Sequence, residues 1–131
     1  MVRIRIHSCD ESEPFARFLP REGVVVSMPR CCDSRHVWNL VRLDRPVRYE
    51  GLEFSHCLVA SRWLDRPINK VQPASVFLLL VPAESSAVPD GFSRSQYPRV
   101  PRGAAQVIPA EAVPPAYRAP AAGGAAGAAP G

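Results

Sequence analysis

The chain has 131 residues, with 16 basic against 12 acidic side chains for a net charge of +4, three histidines and four cysteines. That length bounds the folded part to one small domain. The charge is sparser than the dense basic stripe usual for a dedicated nucleic-acid domain, since residues 1–82 hold 12 basic and 9 acidic residues. Only one basic residue is Lys. With the excess of Ala, Pro and Gly, that bias reads as GC-rich coding rather than as a set of phosphate forks.

The N-terminus alternates Val2, Ile4 and Ile6 with Arg3, Arg5 and His7. This is a half-buried strand, not the continuous apolar stretch of a secretory signal. Ser12-Glu13-Pro14 caps and opens a helical turn through Phe15, Phe18 and Leu19, stopped at Pro20. Arg21-Glu22-Gly23 reads as a turn, and Val24–Val26 open a second strand that ends by Pro29. Val37–Leu43 is a third strand. Val47–Tyr49 and Leu52–Ala60 flank a hairpin turn at Glu50-Gly51, and Leu52, Phe54, His56, Leu58 and Ala60 share one face. Val76–Val81 is apolar on both faces, which places it centrally in a sheet or in a closed barrel. This longest apolar run falls far short of the roughly 20 residues that span a bilayer. A cytoplasmic location with reduced cysteines is therefore the expectation.

One local echo stands out. Leu43-Asp44-Arg45-Pro46-Val47 recurs as Leu64-Asp65-Arg66-Pro67-Ile68. Proline cannot donate to a sheet ladder and pushes the preceding residue towards extended geometry, so both copies read as strand–kink–strand corners.

Composition changes near Pro82. Residues 83–131 contain 14 Ala, 8 Pro and 6 Gly, whereas residues 1–82 contain only 3 Ala. The expected organisation is a small β domain over 1–82 and a Pro/Ala/Gly-rich disordered tail over 83–131. Within the tail, Pro98-Arg-Val-Pro101 and Pro114-Pro115-Ala116-Tyr117 match short ligands of aromatic grooves, at low specificity in so proline-rich a stretch. Short strands, Gly/Pro corners and one helical turn predict an all-β, single-domain barrel or roll, of SH3-like size.

No complete catalytic or phosphate-binding motif is present. The histidines and cysteines form three clusters: His7 with Cys9, Cys31-Cys32 with His36, and His56-Cys57. Cys9, Cys31, Cys32 and His36 are the candidate ligands of a structural zinc, which needs three or four such groups at about 2.0–2.3 Å. No Cys-x2-Cys knuckle supports it, and Cys57 reads as a small buried hydrophobe. A nucleophile built from Cys31 or Cys32, His36 and Asp33 would crowd into one loop a geometry normally assembled from separate elements. Trp38, Arg45, Arg48, Arg62, Trp63 and Arg66 are the candidate partner-binding residues, because Arg and Trp are enriched at interface anchors. The alternative is that one Trp fills the core and the arginines form a solvated rim. The leading functional expectation is a non-enzymatic small barrel, an interaction or regulatory module that binds a protein partner. A nucleic-acid-binding barrel using the same aromatic and Arg surface is the alternative. A zinc-stabilised domain is the second.

Overall fold

A computed structural model describes residues 2–8, 14–62, 68 and 71–109. Six strands run in chain order: β1 (Arg3–Ser8), β2 (Arg21–Ser27), β3 (Trp38–Tyr49), β4 (Leu52–Ser61), β5 (Ala74–Pro82) and β6 (Arg99–Ile108). Each pairs antiparallel with its neighbour in sequence, and β6 pairs back onto β1, so the sheet closes into an up-and-down barrel. The only helical elements among the described residues are 3-10 turns at Pro14–Phe18, Ala83–Ser85 and Arg94–Gln96. The expected all-β barrel with a short turn near Phe18 is the architecture found, with two further 3-10 turns at Ala83–Ser85 and Arg94–Gln96. No helix among the described residues is long and apolar enough to cross a membrane.

Strand alternation sorts the apolar residues into two clusters. Ile4, Ile6, Val41, Leu43, Phe54, Cys57, Val59, Val76, Leu78 and Leu80 fill the barrel interior. Trp38, Leu40, Leu58, Ala60, Leu79, Val81 and Phe92 form a second cluster on the outer face of β3, β4 and β5. The doubly apolar run Val76–Val81 thus serves two cores, one on each face. Full burial of such side chains stabilises by about 1.5–3 kcal/mol apiece. The opposite outer face is polar: Arg3 pairs with Glu22 and Asp44, and Arg5 with Glu22.

Four register shifts bend the strands around a small circumference. Val37–Leu43 and Val47–Tyr49, read as separate strands, form one continuous β3 that kinks between Arg42 and Val47. Pro46 sits in that kink, where no ladder donor is required. The corner expected for the first Leu-Asp-Arg-Pro copy is therefore a bulge. The second copy lies outside the described residues up to Ile68, which packs against the interior. Arg21-Glu22-Gly23, expected as a turn, is the start of β2, paired to Ile4–Ile6. Glu50 and Gly51, both at positive φ, make the expected hairpin turn. The shift between Phe54 and His56 flips parity within β4, so Phe54 joins the interior while Leu58 and Ala60 face outwards.

The break at Pro82 is the largest correction. Residues 83–98 cover the outer cluster, and 99–108 supply β6, which closes the barrel. Small residues are required there: a Cβ at Gly103 would collide with Leu78, and Ala104 and Ala105 are buried. Composition that resembles a tail is here the packing requirement of a closing strand. Pro98-Arg-Val-Pro101 belongs to the fold, with the Leu80 N–H donating to the Pro98 carbonyl at 2.8 Å. The tail expected beyond Pro109, with Pro114-Pro115-Ala116-Tyr117, lies outside the described residues.

Candidate functional site

Two segments, 28–37 and 83–98, cover the outer cluster and are stitched to each other. Cys31 and Phe92 form an isolated parallel bridge. The Cys32 N–H donates to the Phe92 carbonyl at 2.8 Å, and the Gly91 N–H to the Arg30 carbonyl at 2.8 Å. Gly91 takes φ +88°, a region costly for other residues, which lets the chain turn into this ladder. Beneath the ladder Phe92 is 1% exposed, its ring edge-on to Trp38 at 6.1 Å and to Tyr97 at 6.0 Å.

Asp33 is the hub of the seam. Its carboxylate accepts from the Cys31 thiol at 2.9 Å, the Ser93 hydroxyl at 3.1 Å, and the Arg94 backbone N–H and Nε at 3.2 and 3.3 Å. Arg94 also donates to the Asp33 carbonyl at 2.8 Å. These bonds, the Cys31 thiol foremost and the Arg94 N–H next, hold the Asp33 carboxyl well below the usual carboxylate range. Burial, then the bond to Asp33, push the Cys31 thiol up, the opposite of what a nucleophile needs. Ser93 caps the turn Arg94–Gln96 through a reciprocal pair of bonds with Ser95 and Gln96.

Next to this seam lies a groove of about 450 Å³. Trp38 and Leu79 are among its apolar lining, Phe77, His36 and Tyr97 supply its aromatic walls, and Asp33, Arg94 and Arg99 are its charged residues. Phe77 is half-buried, with the His36 ring edge-on at 4.9 Å and the Arg62 guanidinium 4.5 Å from its centroid. His36 is oriented through Ser34, whose hydroxyl oxygen accepts from Trp38 Nε1 at 3.3 Å and from the His36 N–H at 3.2 Å. With both lone pairs used, the Ser34 proton goes to His36 Nδ1, 3.0 Å away, which leaves the neutral ring protonated at Nε2. Partial burial raises the Tyr97 phenol, keeping it neutral. Arg62 and Arg99 have no carboxylate partner among the described residues, and Arg94 has Asp33 alone.

The expected partner surface is divided. Trp38 is 2% exposed and belongs to the outer core, because its alternation on β3 aims it beneath the covering segments. Arg45 and Arg48 are exposed at the hairpin end of β3, and Arg48 approaches Glu53 at 4.0 Å. Arg62 lies beyond the other end of the same ribbon, since Trp38 pairs with Ala60 and Arg48 with Glu53. At about 3.3 Å per residue, more than about 20 Å separates them. Trp63 and Arg66 lie outside the described residues.

The described members of the expected zinc set, Cys31, Cys32 and His36, do not gather around a metal position. Cys9 lies outside the described residues, and no three His, Cys, Asp or Glu side chains among those described converge on a metal position. The Cys31 thiol is committed to Asp33, Cys32 is exposed, and His36 bonds Ser34. His7 bonds Gln106 at 2.9 Å. His56 bonds Ser55 at 2.6 Å, and Cys57 faces the interior, as expected of a buried hydrophobe. A Cys31–His36 nucleophile pair fails on the same geometry.

Sequence reasoning missed Phe77, Arg94, Tyr97 and Arg99. Three of these fall in the stretch assigned to the tail. The signals were present: Asp90-Gly91 is a turn dipeptide, and Phe92, Tyr97 and Val100 are too apolar for a solvated tail. Comparison with protein-family models, with curated proteins and with solved structures gave no match.

Proposed function

We propose that this chain is a non-enzymatic interaction module and that a segment of a partner protein seats in the groove beside Phe77. The observation that carries this is Phe77 itself. Within Val76–Val81 every other residue is buried, yet Phe77 keeps part of its ring at the surface, held by His36 and Arg62. An aromatic ring beside arginines with no carboxylate partner is the composition of an interface anchor. The stitched seam supports the reading as well, because Asp33 and Ser93 fix the wall before a ligand arrives, which lowers the ordering cost of binding.

The test is photo-crosslinking in the native cell from a photoreactive residue placed at Ser95, beside the groove, or at Arg48, at the far end of β3. Protein adducts of discrete mass from position 95 alone, lost when Arg99→Glu is added, are the expected result. Equal adducts from both positions, or adducts that disappear on nuclease treatment, overturn it. The second of those outcomes would assign the groove to nucleic acid.

A further inference from the structure

The charge around the groove specifies its occupant further, on the premise that the groove binds protein. Two arginines line it, Arg94 and Arg99, and a third, Arg62, lies over the face of Phe77, which is itself part of the lining. The carboxylate at the site, Asp33, is engaged by Cys31 and Ser93, and its charge is paired with that of Arg94. The groove is thus positively charged around an apolar, aromatic lining. Its volume of about 450 Å³ lies in the lower part of the range for ligand clefts, room for a few side chains rather than for a folded surface. Lone cations beside aromatic walls attract carboxylates while the walls take a ring edge-on.

We propose that the groove binds an extended acidic segment of its partner, one aromatic side chain flanked by carboxylates, with the ring against Phe77 and Tyr97 and the carboxylates at Arg62 and Arg99. A nucleic-acid strand fits less well. Backbone tracking needs a row of free cations along several phosphates, and here Arg94 is tethered to Asp33, leaving two.

The experiment is a titration of the full chain, isotopically labelled, with acetyl-Glu-Glu-Tyr-Glu-Glu-amide. Parallel titrations use the same peptide with Ala for Tyr, the same with Lys for every Glu, and a 16-mer of oligothymidylate. The expected result is saturable shifts at His36, Phe77, Tyr97 and Arg99 with the Glu/Tyr peptide. Affinity falls about tenfold with Ala for Tyr, and about tenfold again in Arg99→Glu or Arg62→Glu protein whose circular dichroism is unchanged. Absence of shifts at these residues, equal binding of the Lys peptide, or tighter binding of oligothymidylate with a steep salt dependence overturns the proposal. If position 95 still crosslinks to protein while the Glu/Tyr peptide fails, the acidic occupant is wrong and the groove reading stands. Loss of both results removes both.

Discussion

Phe92→Ala tests whether the segment after Pro82 is part of the folded body. Phe92 is 1% exposed and sits on the outer face of the barrel with Leu58, Leu79 and Val81, edge-on to Trp38 and Tyr97. Truncating such a ring removes its transfer free energy and leaves a cavity that the stiff strands beneath cannot collapse into, a loss of about 3–5 kcal/mol. A domain of this size holds only about 5–15 kcal/mol in total. With a urea slope of about 2 kcal/mol per M, the unfolding midpoint falls by about 2 M at unchanged slope. Phe92→Leu keeps most of the volume and falls by less than about 1.5 kcal/mol, so the ordering survives even if the Ala variant does not fold. The assay is urea unfolding followed by circular dichroism and tryptophan fluorescence. A loss below about 1 kcal/mol for Phe92→Ala would refute the packing of residues 83–98 on the barrel, and with it the wall of the groove.

Three further outcomes follow from the same geometry. Burial pushes the Cys57 thiol up to about 12, so a thiol reagent at pH 8 labels exposed Cys32 in the native protein and Cys57 only on unfolding; labelling of Cys57 at the rate of Cys32 would contradict its interior position. Asp33 titrates below its unfolded value, so the folded state binds its proton less readily. The stability it contributes is full above about pH 4 and is lost as pH falls through the depressed titration; the Arg94 amide shift stays constant from pH 7 to 5 and moves only in stronger acid, and movement already at pH 5 would count against the seam. Gly103→Ala puts a methyl against the flexible end of Leu78, whereas Gly23→Ala puts one against the Arg42 carbonyl. Overpacking costs about 1–3 kcal/mol, and Leu78→Ala offsets part of it at Gly103 but none at Gly23 in a double-mutant thermal-melt series.

Strand period made much of the barrel legible. Val2–His7 and Val76–Val81 announce β1 and β5 by alternation and by a doubly apolar run, and Glu50-Gly51 marks the hairpin between β3 and β4. What alternation cannot carry is a bulge, because one extra residue reverses which side chains face inwards. Alternation alone therefore groups Phe54 with Leu58, though the structure sets them in different cores. β6 was hidden for a different reason. Closing a small barrel against Leu78 requires Gly103, and Ala104 and Ala105 are buried next to it in β6, the same residue types that mark a chain without a core. The site inherited both problems. Trp38 announced itself by size but is buried, while Phe77 looked like core and is the ring left at the surface.

The arginines differ in how their charge is matched. On β1, Arg3 and Arg5 are matched by Glu22 on β2 and, for Arg3, by Asp44 on β3, and such exposed pairs contribute about 0–1 kcal/mol each. Nothing about them calls for a ligand, since each charge has its partner within the sheet. Beside the groove, as at Arg17 over Phe18, such pairing is absent among the described residues: Arg62 stacks on Phe77, and Arg99 opens β6 with no carboxylate in reach. The acid that could have matched them, Asp33, is spent holding two loops together. A cation over an exposed ring contributes only about 0.5–1 kcal/mol to the fold. The loops that create this mismatch are the ones that cover the outer core. Phe92 beneath them and Asp33 across them therefore connect the packing of the barrel to the charge of the groove.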